Sequence, residues 1–142
     1  MKIRFFVPGS PKPGGSKTGF YKEKLNRVLM VDASKNTDWK NAVRFSCQQA
    51  YSGPLLEGSL SLRITFMMSR PKSHYKKNRE LKKDAPHYHI SRPDLTKLVR
   101  STEDALTGVL WRDDAQIASQ YVVKIYAEKP GAGIEIEKIN VP

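Results

Sequence analysis

Apolar and polar positions alternate at the start of the chain. Ile3, Phe5 and Val7 interleave with Lys2 and Arg4, which predicts a half-buried strand over residues 2–7. The period changes after residue 36. Trp39, Ala42, Val43, Cys47 and Ala50 recur at helical spacing, Asn36 or Thr37 suits the cap, and Gly53-Pro54 ends the pattern, so a helix is expected over Thr37–Tyr51. Strict alternation returns in SLSLRITFMM (Ser59–Met68). There Leu60, Leu62, Ile64, Phe66 and Met68 share one face, and Ser61, Arg63 and Thr65 the other. A second helical stripe, Leu95, Leu98, Val99, Thr102 and Leu106, follows Pro93-Asp94, where Asp94 suits an N-cap, and stops before Gly108. Val109, Leu110 and Trp111 lead into the Asp113-Asp114 corner. Beyond it Ile117, Tyr121, Val123, Ile125 and Ala127 predict a long strand, and Ile134 and Ile136, set against Glu135 and Glu137, a last one.

Two stretches break the pattern. PGSPKPGGSK (Pro8–Lys17) carries three prolines and three glycines, and we expect a basic loop over residues 8–26, followed by a short strand over Arg27–Ala33. Arg70–His89 is a polar linker carrying Arg70, Lys72, Lys76, Lys77, Arg79, Lys82 and Lys83. No internal repeat or domain boundary is visible. Strands outnumber helices and most are joined by non-helical links. The expected fold is therefore a single α+β domain over residues 1–142, an antiparallel or mixed sheet with two main helices packed on one side.

Charge changes the picture from fold to function. Lys and Arg total 25 against 14 acidic residues, a formal net charge of +11. Such a field favours nucleic acid or an anionic membrane surface. No basic amphipathic helix, lipidation motif or long apolar run supports the membrane. No apolar segment follows the N-terminal charges, so no signal peptide is read and a cytoplasmic protein is expected. A loop of about twenty residues inside one domain is commonly functional or disordered, and either suits a basic segment that orders on DNA. Cys47 is the only cysteine, which excludes an intrachain disulfide and a thiolate zinc cluster. It is expected to be a buried helix residue. His74, His87 and His89 are expected to be solvent-exposed linker residues rather than zinc ligands. A small-molecule cofactor is not expected.

Against this basic background, RPDLTKLVRSTEDALTGVLWRDDAQI (Arg92–Ile117) concentrates Asp94, Glu103, Asp104, Asp113 and Asp114. Carboxylates repel phosphate unless a cation stands between them. Mg²⁺ takes hard oxygen ligands, commonly one or two carboxylates with waters and substrate phosphate. A nearby Lys or Arg stabilises charge on the phosphoryl group. Asp94, Lys97 and Asp104 fall on one polar face of the second helix, with Arg100 on its flank and within reach of Asp104. If the following strand runs antiparallel to that helix, Asp113 and Asp114 lie nearest Asp104. Asp94 is then left roughly 15 Å away along the axis. Taken singly, Asp94 reads as an N-cap and Asp113-Asp114 as a polar turn. Together in a basic protein they point to metal-dependent phosphodiester chemistry.

The same window resembles the signature of the RusA family of Holliday junction resolvases, often carried by phages and prophages. The family pattern is approximately Asp-x-Asp-Asn, a basic residue nearby, Asp-Ala-Leu, a small turn, an aromatic, and Asp-Asp-x-Gln-[Ile/Val]. Asp94 matches the first Asp, Arg100 stands where a catalytic Lys is common, and Asp104-Ala105-Leu106, Trp111 and Asp113-Asp114-Ala115-Gln116-Ile117 match as they stand. The window is under a fifth of the chain, but its motif is specific, and the order of basic loop, helix, strand and basic linker agrees. The resemblance implies a RusA-like homodimer that resolves four-way DNA junctions by paired nicks, leaving 5′-phosphate and 3′-hydroxyl ends, in recombination or repair. It implies Mg²⁺, with Mn²⁺ as a substitute, held by Asp94, Asp113 and Asp114 converging on one site, and Arg100 or Lys97 stabilising the phosphoryl oxygens. Lys12, Lys17, Lys76, Lys77, Lys82, Lys83 and Arg92 would contact the DNA backbone.

The pattern is broken at two positions: Thr96 replaces the second Asp and Lys97 the Asn. A hydroxyl is a weak Mg²⁺ ligand, so Asp104 or Glu103 compensates, with spacing favouring Asp104, or the site is weakened. A catalytically silent binder of junctions or single strands is thus the competing reading. An RNA-binding module is a weaker third, since clustered exposed aromatics are few.

Overall fold

The computed structural model describes residues 1–15, 17–22, 27–32 and 35–140, with backbone pairing alone for 17–22 and 27–32. In chain order the elements are β1 (Lys2–Pro8), β2 (Lys17–Lys22), β3 (Arg27–Asp32), α1 (Thr37–Ala50), β4 (Leu60–Ser69), α2 (Leu95–Leu106), β5 (Ile117–Ala127) and β6 (Gly131–Lys138). Four strands form one sheet in the order β1-β6-β4-β5, and β2 and β3 pair separately. The expected α+β fold is present, and its sheet is mixed. β6 runs antiparallel to both β1 and β4, whereas β5 runs parallel to β4. A parallel pair requires a crossover connection, and α2 provides it. The loop expected over residues 8–26 is irregular only through residue 15. Residues 17–22 form a strand antiparallel to β3, with Lys17 opposite Asp32. Residues 16 and 23–26 of that loop, and Ala33 of the expected strand, lie outside the described residues.

The alternation of β4 sets the core. Leu60, Leu62, Ile64 and Phe66 are fully buried on one face, joined by Ile134 and Ile136 of β6 and Val7 of β1. Trp39, Val43 and Cys47 of α1 and Leu98, Val99, Ala105 and Leu106 of α2 close over them, so both helices lie on one side of the sheet. Burial pushes the Cys47 thiol up to about 11, as expected for an inert packing residue. The helices are tied by Trp39, whose indole N–H donates to Thr102 Oγ1 (3.2 Å). On the opposite face Glu135 accepts from Arg4 (2.6 Å) and lies 3.7 Å from Arg63. α2 ends where the sequence indicated: Gly108 follows the C-cap with φ +85, a conformation glycine adopts freely.

The Arg70–His89 linker is more tightly tied than its composition suggests. It contains a single helical turn at Lys72–His74 and a bridge between Tyr75 and Leu81. Arg70 donates to Pro86 O (2.7 Å), and the Tyr126 and His89 amides donate to His87 O and Lys124 O. The expectation of three exposed histidines is corrected. His89 is buried against Tyr126, and the half-buried His74 packs edge-on to the same ring at 4.8 Å. The physical reason is the edge of β5, where Tyr126 offers an aromatic surface that the returning linker covers.

Candidate active site and nucleic-acid interface

α2 lies antiparallel along β5. Glu103, near its C-terminal end, accepts a hydrogen bond from the Gln120 amide (2.8 Å). At its N-terminal end, Lys124 Nζ donates to Ser91 O and Pro93 O, both at 2.7 Å. Gln120, Val122, Lys124 and Tyr126 share this side of β5 because strand side chains alternate. A groove of about 330 Å³ between helix and strand is bordered by Thr96, Arg100 and Glu103 on α2, Gln120 on β5, and Asp114. Thr96, Arg100 and Glu103 are spaced i, i+4, i+7 and therefore share one helix face.

The Asp113-Asp114 corner is divided by function. Asp113 accepts from the Ala115 amide and caps the short 3-10 turn Asp114–Gln116. Gln116 locks the corner: its Oε1 accepts from the Arg112 and Asp113 amides, and its Nε2 donates to Leu56 O and Gly58 O. Asp114, exposed, is left to border the groove opposite Glu103. Burial pushes the Glu103 carboxyl above its ordinary value, the negative charges of Asp114 and Asp104 add to that, and the Gln120 hydrogen bond opposes it.

Asp104 faces elsewhere. It lies 4.0 Å from Lys40 Nζ of α1, whereas Glu103 lines the groove beside Asp114. Asp94 occupies the N-cap position of α2, yet its carboxylate makes no capping hydrogen bond. It stands 3.7 Å from Lys97 Nζ, and its charge also acts on Lys124. Asp94 and Glu103 are separated by roughly 14 Å of helix axis at about 1.5 Å per residue. The structure therefore groups Asp114 with Glu103, Arg100 and Thr96. The groove thus runs along α2 from Thr96 to Glu103, while Asp94 pairs with Lys97 at the N-terminal turn and Asp113 has a local backbone partner. Among the described residues no three acidic, histidine or cysteine side chains gather tightly enough to cage a metal ion.

Asp94 and Lys97 instead wall a second, larger cleft of about 660 Å³, together with Lys12, Arg92 and His89. The Pro-rich loop forms its far side and is strapped to α2. Gly14 N donates to Lys97 O (2.7 Å), and the Ser101 hydroxyl donates to Lys12 O. A side chain at Gly14 would press to 3.1 Å from Ser101 N, which explains the glycine. Of the other basic residues singled out, Lys76 borders a separate surface groove with Arg70 and Arg79 and lies 4.0 Å from Glu80. Lys77, Lys82 and Lys83 are exposed along the linker, and Lys17 begins β2. Glu103 was legible only as one of two options, and Gln120 and Lys124 were not legible at all. Their signal was alternation along β5, which is invisible until the partner helix is known.

The helix carrying both sites fits the polarity of α-helices. The N-terminal end attracts anions and the C-terminal end cations. Glu103 and Asp104 stand in the last turn, where carboxylates are disfavoured; α2 itself has no basic residue in that turn, and Lys40 of α1 lies 4.0 Å from Asp104.

This fold, with its acidic groove and basic cleft on one helix, coincides with a match to the family model "Endodeoxyribonuclease RusA" over residues 8–137. The chain belongs to the RusA endodeoxyribonuclease family, whose activity is Holliday junction resolution, dependent on a divalent metal and directed at branched DNA. It is also similar to the uncharacterized protein YqaN of Bacillus subtilis (strain 168), with 26% identity over 140 residues covering 97% of each chain. Among the described residues no helix is long and apolar enough to cross a membrane.

Proposed function

We propose that this protein is a Mg²⁺-dependent endonuclease that resolves four-way DNA junctions by paired nicks, acting as a homodimer. The observation that supports it best is the pairing of Glu103 and Asp114 across a groove that also holds Arg100, in a chain of net charge +11. Two carboxylates, one held by an amide, are hard oxygen donors that suit Mg²⁺ completed by water and phosphate. Thr96 borders the same groove about 10 Å back along the helix at about 1.5 Å per residue, so Glu103 and Asp114 are the carboxylates offered to the ion. When bound, the ion would supply neutralisation of phosphate charge and activation of water.

The chain's own residues do the rest. Gln120 fixes the Glu103 carboxylate, and Gln116 and Asp113 hold the turn that presents Asp114. Arg100, on the same helix face, stabilises the phosphoryl oxygens as charge develops. Asp94 and Lys97 act at the far end of the helix, where the strand enters, and Lys12 and Arg92 contact its phosphates. Asp113 serves by capping the turn.

The experiment is incubation with a synthetic four-way junction and Mg²⁺ in the presence of excess linear duplex. Paired nicks in the junction are expected, and Asp114→Asn should abolish them. Undiminished cleavage by the double variant Asp94→Asn/Asp114→Asn would remove the site. The silent-binder reading draws on Thr96. It predicts salt-sensitive junction binding without nicks in Mg²⁺ or Mn²⁺, and cleavage gained by Thr96→Asp.

A further inference from the structure

We propose that the cleft at the N-terminal end of α2 is a subsite for one unstacked nucleotide at the branch point of the DNA. This rests on the junction reading above and extends it to how the branch is held.

The cleft is built in two layers. Apart from His89, its buried and half-buried members are apolar: Pro11, Pro13, Met68, Pro93 and Pro130. Apart from Ser10 and Ser69, its exposed members are charged: Lys12, Arg92 and Lys97, with Asp94 beside them. An apolar floor under a cationic rim matches a nucleotide, which has flat base faces at one end and a phosphate at the other. A bare phosphate needs only the rim. At about 660 Å³ the cleft lies within the range of pockets that enclose small organic ligands.

A third observation is independent of both. His89, 9% exposed, forms part of the wall, and its Nδ1 has no hydrogen-bond partner among the described residues. A buried imidazole nitrogen without a partner is costly, and His89 stands in the wall against which a base would lie. Burial, followed by the charge of Lys124, holds the ring toward its neutral form, which carries both a donor and an acceptor.

Position in the fold agrees. The cleft opens where β4 ends at Met68 and Ser69 and α2 begins, so the helix N-terminus adds its positive potential to the rim. It adjoins the groove at the N-terminal turn of α2, where Leu95 and Thr96 line the groove and Asp94 and Lys97 the cleft. A strand lying along α2 therefore meets both, its scissile phosphate in the groove and an adjoining nucleotide in the cleft. Branch points are where this extraction costs least, because a base there has already lost part of its stacking.

The test uses the full chain and four-way junctions carrying 2-aminopurine at a branch-point position, with Ca²⁺ in place of Mg²⁺. Saturating protein should raise the 2-aminopurine fluorescence several-fold, and 2-aminopurine placed well inside an arm should stay dark. Ser69→Trp fills the cleft from its exposed wall without altering charge. It should suppress the rise and weaken junction binding about tenfold, while duplex binding and Mn²⁺ binding stay at wild-type levels. Ser10→Trp, from the loop side, is the second variant, with circular dichroism checking that each folds. A junction that is bound and cut while its fluorescence stays flat, or a rise that both tryptophan variants reproduce, overturns the subsite and leaves the nuclease reading intact. A junction that is neither bound nor cut removes both.

Discussion

The two ends of α2 carry opposite chemistry on one rigid rod. At the N-terminal end Lys12, Arg92 and Lys97 rim a cleft beside Asp94. Toward the C-terminal end Glu103 and Asp114 border a groove that runs back along α2 past Arg100 to Thr96. The first end has the charge and helix polarity to take phosphate. The second has an excess of carboxylate that the helix dipole opposes, which is the ground for proposing a cation there. The comparison teaches that the acidic window does not cluster in space as it does in sequence. Asp94 pairs with Lys97 at the start of α2, Asp114 borders the groove with Glu103, and Asp113 and Asp104 have other neighbours, one its own turn and one Lys40.

The comparison can be broken in several ways. Leu98, fully buried on the core face of the helix that carries both sites, anchors α2, so Leu98→Ala should cost about 2–5 kcal/mol of unfolding free energy in denaturant titrations. It should lower DNA and metal binding in parallel as temperature rises. Asp114→Asn or Arg100→Ala should cut junction cleavage on the order of 10²–10³-fold in single-turnover assays while leaving DNA affinity nearly intact. An equal fall in affinity would show that the two ends are not separate. Glu103→Gln should weaken Mn²⁺ binding in calorimetry about tenfold or more, whereas Asp104→Asn should not, since its exposed pairing with Lys40 contributes about 0–1 kcal/mol to stability alone. The reverse ranking would move the cation site to the α1 side.

The smallest effect expected is pH-dependent. His89 titrates below its ordinary 6.5 because burial, then Lys124, disfavours its charged form. The unfolded chain therefore takes up a proton first, and stability is lost as pH falls below about 6.5. The melting temperature should drop slightly between about pH 7.5 and about pH 5.5, and His89→Gln should flatten that part of the profile.

Local pattern carried much of the architecture. The alternation of Leu60 through Met68, the stripe of α2 and the stop at Gly108 appear where they were expected, because each reflects a period or a backbone preference contained within a few residues. The strand at Lys17–Lys22 was hidden by the prolines and glycines just before it. His89 was misplaced because composition marks a linker as polar without revealing the Tyr126 ring it covers. Asp94 kept its expected position as N-cap but not the expected hydrogen bond.

By itself, the sequence determined most of the elements, the basic field and the motif that marks the family, since these are written in neighbouring residues. Only the tertiary structure decided which carboxylates share a groove. Glu103 and Asp104 are adjacent in the chain, yet they project from different sides of one helix turn, toward β5 and α1 respectively. Consecutive helical residues diverge by about 100°, and which of the two faces Asp114 depends on where the crossover lays α2 against the sheet.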